Sequence, residues 1–315
     1  MKRFNRLAGT SAAGHPPRID VHQHLWPPGF VEALRRRRAP PRLIGWTLEL
    51  DGEPCYQVCP ADHDLSCRTA LVEQDRLDLA LVSLSSPLGI EWLPPREAGP
   101  LLDAYHEGCL GLPRPFGTWA AACLSHLDVA ALRSALDRGG VGLQLPATAL
   151  ADAAGYERCR PLLDVLEAED RPLLVHPGQA AGAGTAPAWW AAMVAYVQQM
   201  HQAWFAFKVH GRPRHPRLRV CFAILAGLAP LHGERFAARG GARGIVDADA
   251  FVETSSYGPR AIDSTVRVLG IDVVVLGSDR PYAPPPAAAL GQAADHAIRT
   301  TNPLRLLWGE KGDAA

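Results

Sequence analysis

At 315 residues the chain is long enough for one large domain with a well-buried core. Lys plus Arg equals Asp plus Glu at 32 each, so no net field draws the protein to nucleic acid or to an anionic membrane. With 48% hydrophobic and 20% charged residues it is neither disordered nor fibrous, which leaves a soluble domain with a small-molecule ligand as the expectation.

In chain order, residues 1–17 read as a tail: basic at the start, without the apolar stretch of a signal sequence. No later segment is apolar for long enough to span a membrane, so the expected location is cytoplasmic. From Arg18 onward short apolar or β-branched runs alternate with longer amphipathic stretches, as in repeated βα units. Eight such runs are Ile19 to His22, Leu79 to Leu84, Phe116 to Ala120, Val141 to Leu145, Pro172 to Val175, Leu218 to Ala223, Ala250 to Glu253 and Val273 to Leu276. Eight strands with helical crossovers predict an α/β fold, a (β/α)8 TIM-like barrel over residues 18–309.

Tyr156 to Glu169 is a clear helix pattern, with Leu162, Leu163, Val165 and Leu166 on its apolar stripe. The stretch 26–65 after the first strand is longer than a βα loop requires and reads as an insertion capping the barrel mouth. It contains a hairpin-like segment, Trp46 to Tyr56, with Asp51-Gly52 as its turn signal. Arg35 to Arg38 read as a solvated helix face. Gly178 to Arg217 is rich in Trp and Ala and reads as a long helix flanked by loops, and residues 310–315 are a second tail. The seven cysteines include no CxxC pair, which predicts reduced thiols; Cys55, Cys59, His63 and Cys67 lack the close spacing of a structural zinc clamp.

Asp20, His22 and His24 alternate along the first strand and its end, so period-two geometry points all three to one face. A strand entering a barrel ends at the C-terminal face, where barrel enzymes build their sites. Taken alone, such a pair is either a metal clamp or two hydrogen-bonded histidines. Two more strand ends carry one ligand-type residue each: His176 after Leu173-Leu174-Val175, and Asp279 after Val275-Leu276-Gly277-Ser278. Three neutral nitrogens and one carboxylate suit one divalent ion, zinc above all, with room left for water or substrate.

These residues carry a resemblance. Ile19-Asp20-Val21-His22-Gln23-His24-Leu25-Trp26, Leu174-Val175-His176-Pro177, His215-Pro216-Arg217-Leu218-Arg219-Val220 and Gly277-Ser278-Asp279-Arg280-Pro281 are similar to segments of the amidohydrolase superfamily. The similarity runs from Ile19 to about Trp308. Within that superfamily the chain resembles the branch that includes 2-amino-3-carboxymuconate-6-semialdehyde decarboxylase and related metal-dependent hydrolases. The resemblance implies that His22, His24, His176 and Asp279 hold the ion and that Asp279 is the general base, taking the proton from water bound there. Gln144 stands where many superfamily barrels carry a carboxylated lysine, and an amide forms no carbamate, so one ion rather than two is expected. Barrels of this branch often pair through their outer helices, which leaves a homodimer open.

The chain departs from the family at the sixth strand, where Phe222-Ala223-Ile224-Leu225-Ala226-Gly227 places Ile224 at the position of a histidine that contacts water or substrate. His232, a short loop later, is the candidate substitute, or else a histidine at a helix start. Arg280 is either an anchor for a substrate carboxylate or half of an ion pair, because it points away from its neighbour Asp279. Tyr257 is a candidate hydrogen-bond donor to substrate, Trp26 and Gln144 are candidate pocket residues, and Trp189 and Trp190 divide between pocket wall and core. The leading expectation is hydrolysis of a small amide, ester or lactone by water activated on the metal; the alternatives are non-oxidative decarboxylation at the same site, and a metal- and ligand-binding barrel that has lost catalysis.

Overall fold

The computed structural model describes residues 15–180, 182, 186–242 and 246–309; the tails expected at 1–17 and 310–315 lie outside them except for residues 15–17. Eleven strands occur among the described residues: β1 (Ile19–Gln23), β2 (Arg42–Ile44), β3 (Thr47–Glu49), β4 (Tyr56–Gln57), β5 (Leu79–Val82), β6 (Phe116–Thr118), β7 (Leu143–Pro146), β8 (Leu173–His176), β9 (Val220–Phe222), β10 (Ala250–Glu253) and β11 (Val274–Val275). β1, β5 and β6 pair in parallel, as do β7 through β11, and each of the eight overlaps an expected run. Bridges between Ala120 and Leu143 and between Gln23 and Arg280 join the two groups into a closed (β/α)8 barrel. Val21 N–H donates to Leu276 O at 2.8 Å across the second seam.

Alternation along the strands divides the apolar residues into two clusters. Val21, Leu81, Trp119, Leu174, Cys221, Phe251 and Val275 meet one another from all round the sheet, so they fill the barrel interior; Leu304, Leu306 and Leu307 close one end. The residues between them, such as Leu173, Val175, Phe222 and Val252, belong to the outer cluster shared with the helices. The helix Ala153–Ala168 shows how these outer elements are specified. Asp152 caps it by accepting the Gly155 N–H at 2.8 Å, and Tyr156, Cys159, Leu163 and Leu166 line its buried face. Leu163 is wholly buried, so truncation to Ala costs about 3 kcal/mol.

The segment after β1 folds as a small antiparallel sheet. Thr47 pairs with Gln57 and Leu48 with Tyr56, as the hairpin pattern predicts, with Asp51 and Gly52 in the connection. The structure adds β2, turned onto β3 at Gly45, whose φ of 62° is the left-handed conformation glycine adopts without strain. The long helix expected after Gly178 is present as joined segments through Ala191–Gly211. Trp189 and Trp190 at its start are 57% and 42% exposed, so core packing does not hold for them. The helix Pro28–Arg35 ends at Arg35, which pairs with Glu32, so Arg36 to Arg38 lie beyond it rather than on a helix face, and Arg37 pairs with Glu97; no helix of the described residues is long and apolar enough to cross a membrane.

Candidate metal centre

β1 delivers two imidazoles to the barrel mouth, though not by simple alternation. Its register against β5 shifts between Asp20 and Gln23, so Val21 fills the interior while His22 and His24 also face inward. Asp20 does not join them, contrary to the same-face expectation. Its buried carboxylate accepts from Gln23 Nε2 at 2.8 Å and from the N–H groups of His22 and Ser278 at 3.1 Å, while burial pushes its pKa up. The buried Arg68 guanidinium donates to Gln23 Oε1 at 2.5 Å and to the His24 carbonyl, holding this strand end from behind.

His22, His24, His176 and Asp279 each present one ligand atom within 4.8 Å of all the others. His22 Nε2 and His24 Nε2 are 3.1 Å apart, and Asp279 Oδ1 lies 3.1 Å from His24 Nε2 and 3.6 Å from His22 Nε2. The three rings meet edge to face with centroids 4.8–5.0 Å apart. Each far nitrogen is committed: His24 Nδ1 to Ser83 O at 3.0 Å, His176 Nδ1 to Pro177 O at 2.7 Å, and His22 Nδ1 to Glu253 Oε1 at 3.1 Å. Carbonyls and carboxylates only accept, so Nδ1 carries the proton in each ring and the Nε2 lone pairs converge. Lone pairs facing each other at 3.1 Å call for a cation between them. Donors about 2.1 Å from a tetrahedral zinc stand roughly 3.4 Å apart, which the 3.1–3.6 Å separations among His22, His24 and Asp279 bracket, with His176 within 4.8 Å of each, so the donor set suits one such ion.

The electrostatics favour the neutral form for two of the three rings. Burial, with the neighbouring imidazoles, pushes the pKa of His176 well down, and burial also lowers that of His24. For His22 the burial penalty is overridden by Glu253 and Asp279, which raise its pKa to about 8. Asp279 holds its place with φ at 64°, a conformation Asp tolerates better than most residues, and its N–H donates to His22 O at 2.9 Å.

Glu253, at the end of β10, is the residue sequence reasoning missed; its signal was a carboxylate closing an otherwise apolar barrel strand. Wholly buried, it accepts from His22 Nδ1, from Ile224 N–H at 2.7 Å, and from Ser255 N–H and Oγ at 2.6 Å. A Cβ at Gly277 would lie 2.1 Å from Glu253 Oε2, so that approach requires glycine. Ile224 thus contributes its main-chain N–H to Glu253, and its side chain forms cavity wall.

His232 is not at the site. The chain leaves the mouth through Ile224–Leu228, five residues with φ between 46° and 61°. Left-handed backbone costs each non-glycine residue there about 1–2 kcal/mol. This turn packs against the helix Tyr196–Ala206, with Gly227 approaching Val197 O, and His232 emerges exposed with its ring 5.0 Å from His201. Arg280 is likewise withdrawn: it forks onto Asp75 at 2.7 and 2.9 Å, the ion-pair alternative rather than the anchor. Gln144 is buried on β7 and donates to Ser86 Oγ at 2.5 Å without forming cavity wall.

His24, His176 and Asp279 open onto a cavity of about 480 Å³. Trp26 and Tyr257 line it as expected, together with Tyr56, Tyr196 and Tyr282, the aliphatic Leu48, Leu50 and Leu88, and Ala188, Ala191, Ala192 and Met193 at the start of the long helix. Trp26 is fixed by its indole N–H to Ser85 Oγ at 3.2 Å and by stacking on His63 at 4.4 Å. Burial holds His63 neutral, down to about 3, so its Nδ1 accepts the Trp26 N–H; Cys55, Cys59 and Cys67 nearby are exposed free thiols.

No protein-family profile and no curated protein matches the chain. Solved structures do. The apo form of IDCase from Metarhizium anisopliae superposes with a TM-score of 0.75 at 16% identity, covering 96% of this chain and 100% of that one. 5-Carboxyvanillate decarboxylase from Sphingomonas paucimobilis gives 0.71 at 17% identity, covering 92% and 98%. The Novosphingobium aromaticivorans 5-carboxyvanillate decarboxylase, complexed with manganese and 4-hydroxy-3-methoxy-5-nitrobenzoic acid, gives 0.69 at 17% identity, covering 95% and 98%. At such identities the shared property is the fold: the chain has the barrel architecture of these proteins over nearly its whole described length.

Proposed function

We propose that the protein belongs to the amidohydrolase superfamily and is a metal-dependent carboxy-lyase that releases carbon dioxide from a small ring-bearing acid. The observation that carries this reading is the charge pattern of the cavity. Among the described residues no Lys or Arg lines it, its walls are mainly aromatic and aliphatic with one carboxyl group, that of Glu53, outside the metal ligands, and the four-ligand cluster is the one place where positive charge can be held. An acid entering there loses its water shell, which disfavours the carboxylate relative to neutral carbon dioxide. The named activities of the structural neighbours above support the same choice.

When bound, a divalent ion supplies the positive charge that orients the anionic substrate and stabilises charge developing on it. The chain's own residues do the rest. Trp26, Tyr257 and Leu88 offer apolar wall against which a flat ring can pack out of water. Asp279 faces the cavity and exchanges the proton: the carbon–carbon electron pair stays on the ring carbon, that carbon takes a proton from Asp279, carbon dioxide leaves, and the carboxylate is reprotonated from solvent. Hydrolysis of an amide, ester or lactone, the leading expectation from sequence, would have to rely on the ion and Asp279 alone, because Ile224 offers no polar side chain beside them and His232 faces solvent. Three imidazoles and one carboxylate favour zinc, and Gln144 favours a single ion. The test is metal analysis followed by incubation of the metal-loaded protein with hydroxybenzoic acids and lactones. One metal per chain and carbon dioxide release are expected; lactone opening without carbon dioxide, or a metal-free protein, refutes the reading.

A further inference from the structure

One acidic side chain of the cavity wall has no part in that chemistry. Glu53 lies in the connection between β3 and β4 and, metal ligands aside, is the single charged side chain lining the cavity among the described residues. Its Oε1 accepts the Tyr196 hydroxyl at 2.8 Å, with Oε2 at 3.0 Å from the same oxygen, and the Ala180 N–H approaches Oε1 at 3.4 Å. Gln179 Nε2 donates to Asp51 O at 3.0 Å, so the connection is fastened to the far side of the mouth and the carboxylate has a defined position. A tyrosine hydroxyl brings one proton and a main-chain amide one more. A carboxylate offers about four lone-pair sites, so acceptor capacity remains toward the cavity.

Resting on the carboxy-lyase reading, we propose that Glu53 selects the end of the substrate remote from the departing carboxylate, accepting a hydroxyl or amino donor there and rejecting a second carboxylate. The argument is one of charge. The metal ligands can hold one acidic group; a dianion must set its other group against Glu53 with no cation in the wall to offset it, whereas a hydroxyl or amine gives Glu53 a charge-assisted hydrogen bond. Selection then comes as much from what is repelled as from what is attracted.

Two probes that share one metal-binding head separate these cases: 2,4-dihydroxybenzoate and 2-hydroxyterephthalate differ only at ring position 4. Their dissociation constants are measured by calorimetry on the metal-saturated full chain, in wild type, Glu53→Gln and Tyr196→Phe. Wild type is expected to bind the dihydroxy acid at least about tenfold more tightly. Glu53→Gln brings the two within about threefold, whereas Tyr196→Phe, which keeps the carboxylate and removes its tether, retains most of the preference. An unchanged ratio in Glu53→Gln, an equal loss in Tyr196→Phe, or no binding of either probe overturns the proposal. Carbon dioxide is assayed separately: release with an unshifted ratio removes the selectivity role alone, and a shifted ratio without release removes the carboxy-lyase reading alone.

Discussion

Glu91 tests the description of the buried polar interior quantitatively. It lies in the short turn Ile90–Trp92 after β5, wholly buried, and accepts the Ser86 hydroxyl, which in turn accepts from Gln144 Nε2. Its Oε2 and the neighbouring network's Gln144 Oε1 have no hydrogen-bond partner among the described residues. Burial, opposed by the Ser86 bond, lifts its pKa from 4.5 to about 7. The folded state therefore keeps a proton that the unfolded chain gives up. Below pH 4.5 the acid is neutral in both states and costs nothing; as pH rises from 4.5 to 7 ionisation favours the unfolded chain, and stability falls until the folded carboxyl also titrates. At about 1.4 kcal/mol per pH unit the loss amounts to about 3 kcal/mol by pH 8. Glu91→Gln, an isostere of the protonated acid, should match wild type at about pH 4.5 and exceed it by about 3 kcal/mol at pH 8, or about 6 °C in Tm for a chain of this size. Urea denaturation followed by tryptophan fluorescence at both pH values measures this, with metal saturating throughout. An equal effect at both, or a less stable variant at pH 8, refutes the reasoning.

Four further outcomes concern the candidate metal centre and its surroundings. Glu253→Gln removes the anionic acceptor of the His22 Nδ1–H and should weaken metal binding about 10- to 100-fold in chelator competition. His176→Ala should lower metal content below one per chain by mass spectrometry. In wild type a chelator should lower Tm, since an ion present at about 1,000 times its Kd contributes about 4 kcal/mol. His232→Ala should leave metal content unchanged and stability within about 0.5 kcal/mol, because the side chain is exposed and away from the cavity.

Much of the barrel and the four residues that gather in the candidate metal centre were legible in the sequence, because both depend on local order. An apolar run long enough for a buried strand, repeated eight times and ended by His or Asp at three strand ends, specifies strands, spacing and the face where they stop. What tertiary structure decided lies in contacts that local order does not encode. A register shift set against β5 sends Asp20 away from His22 and His24. The acceptor for His22 is Glu253, 231 residues away, and the partner that withdraws Arg280 is Asp75, 205 residues away. The left-handed turn at Ile224–Leu228 contains one glycine, so nothing in its composition announced that it would carry His232 to the surface. Trp189 and Trp190, hydrophobic by type, are exposed at a helix start that borders the cavity. The sequence by itself determined which elements form and which residues end at the mouth; only closure of the barrel determined which of them share a proton acceptor, an ion pair or a wall, because those partners meet across the ring and not along the chain.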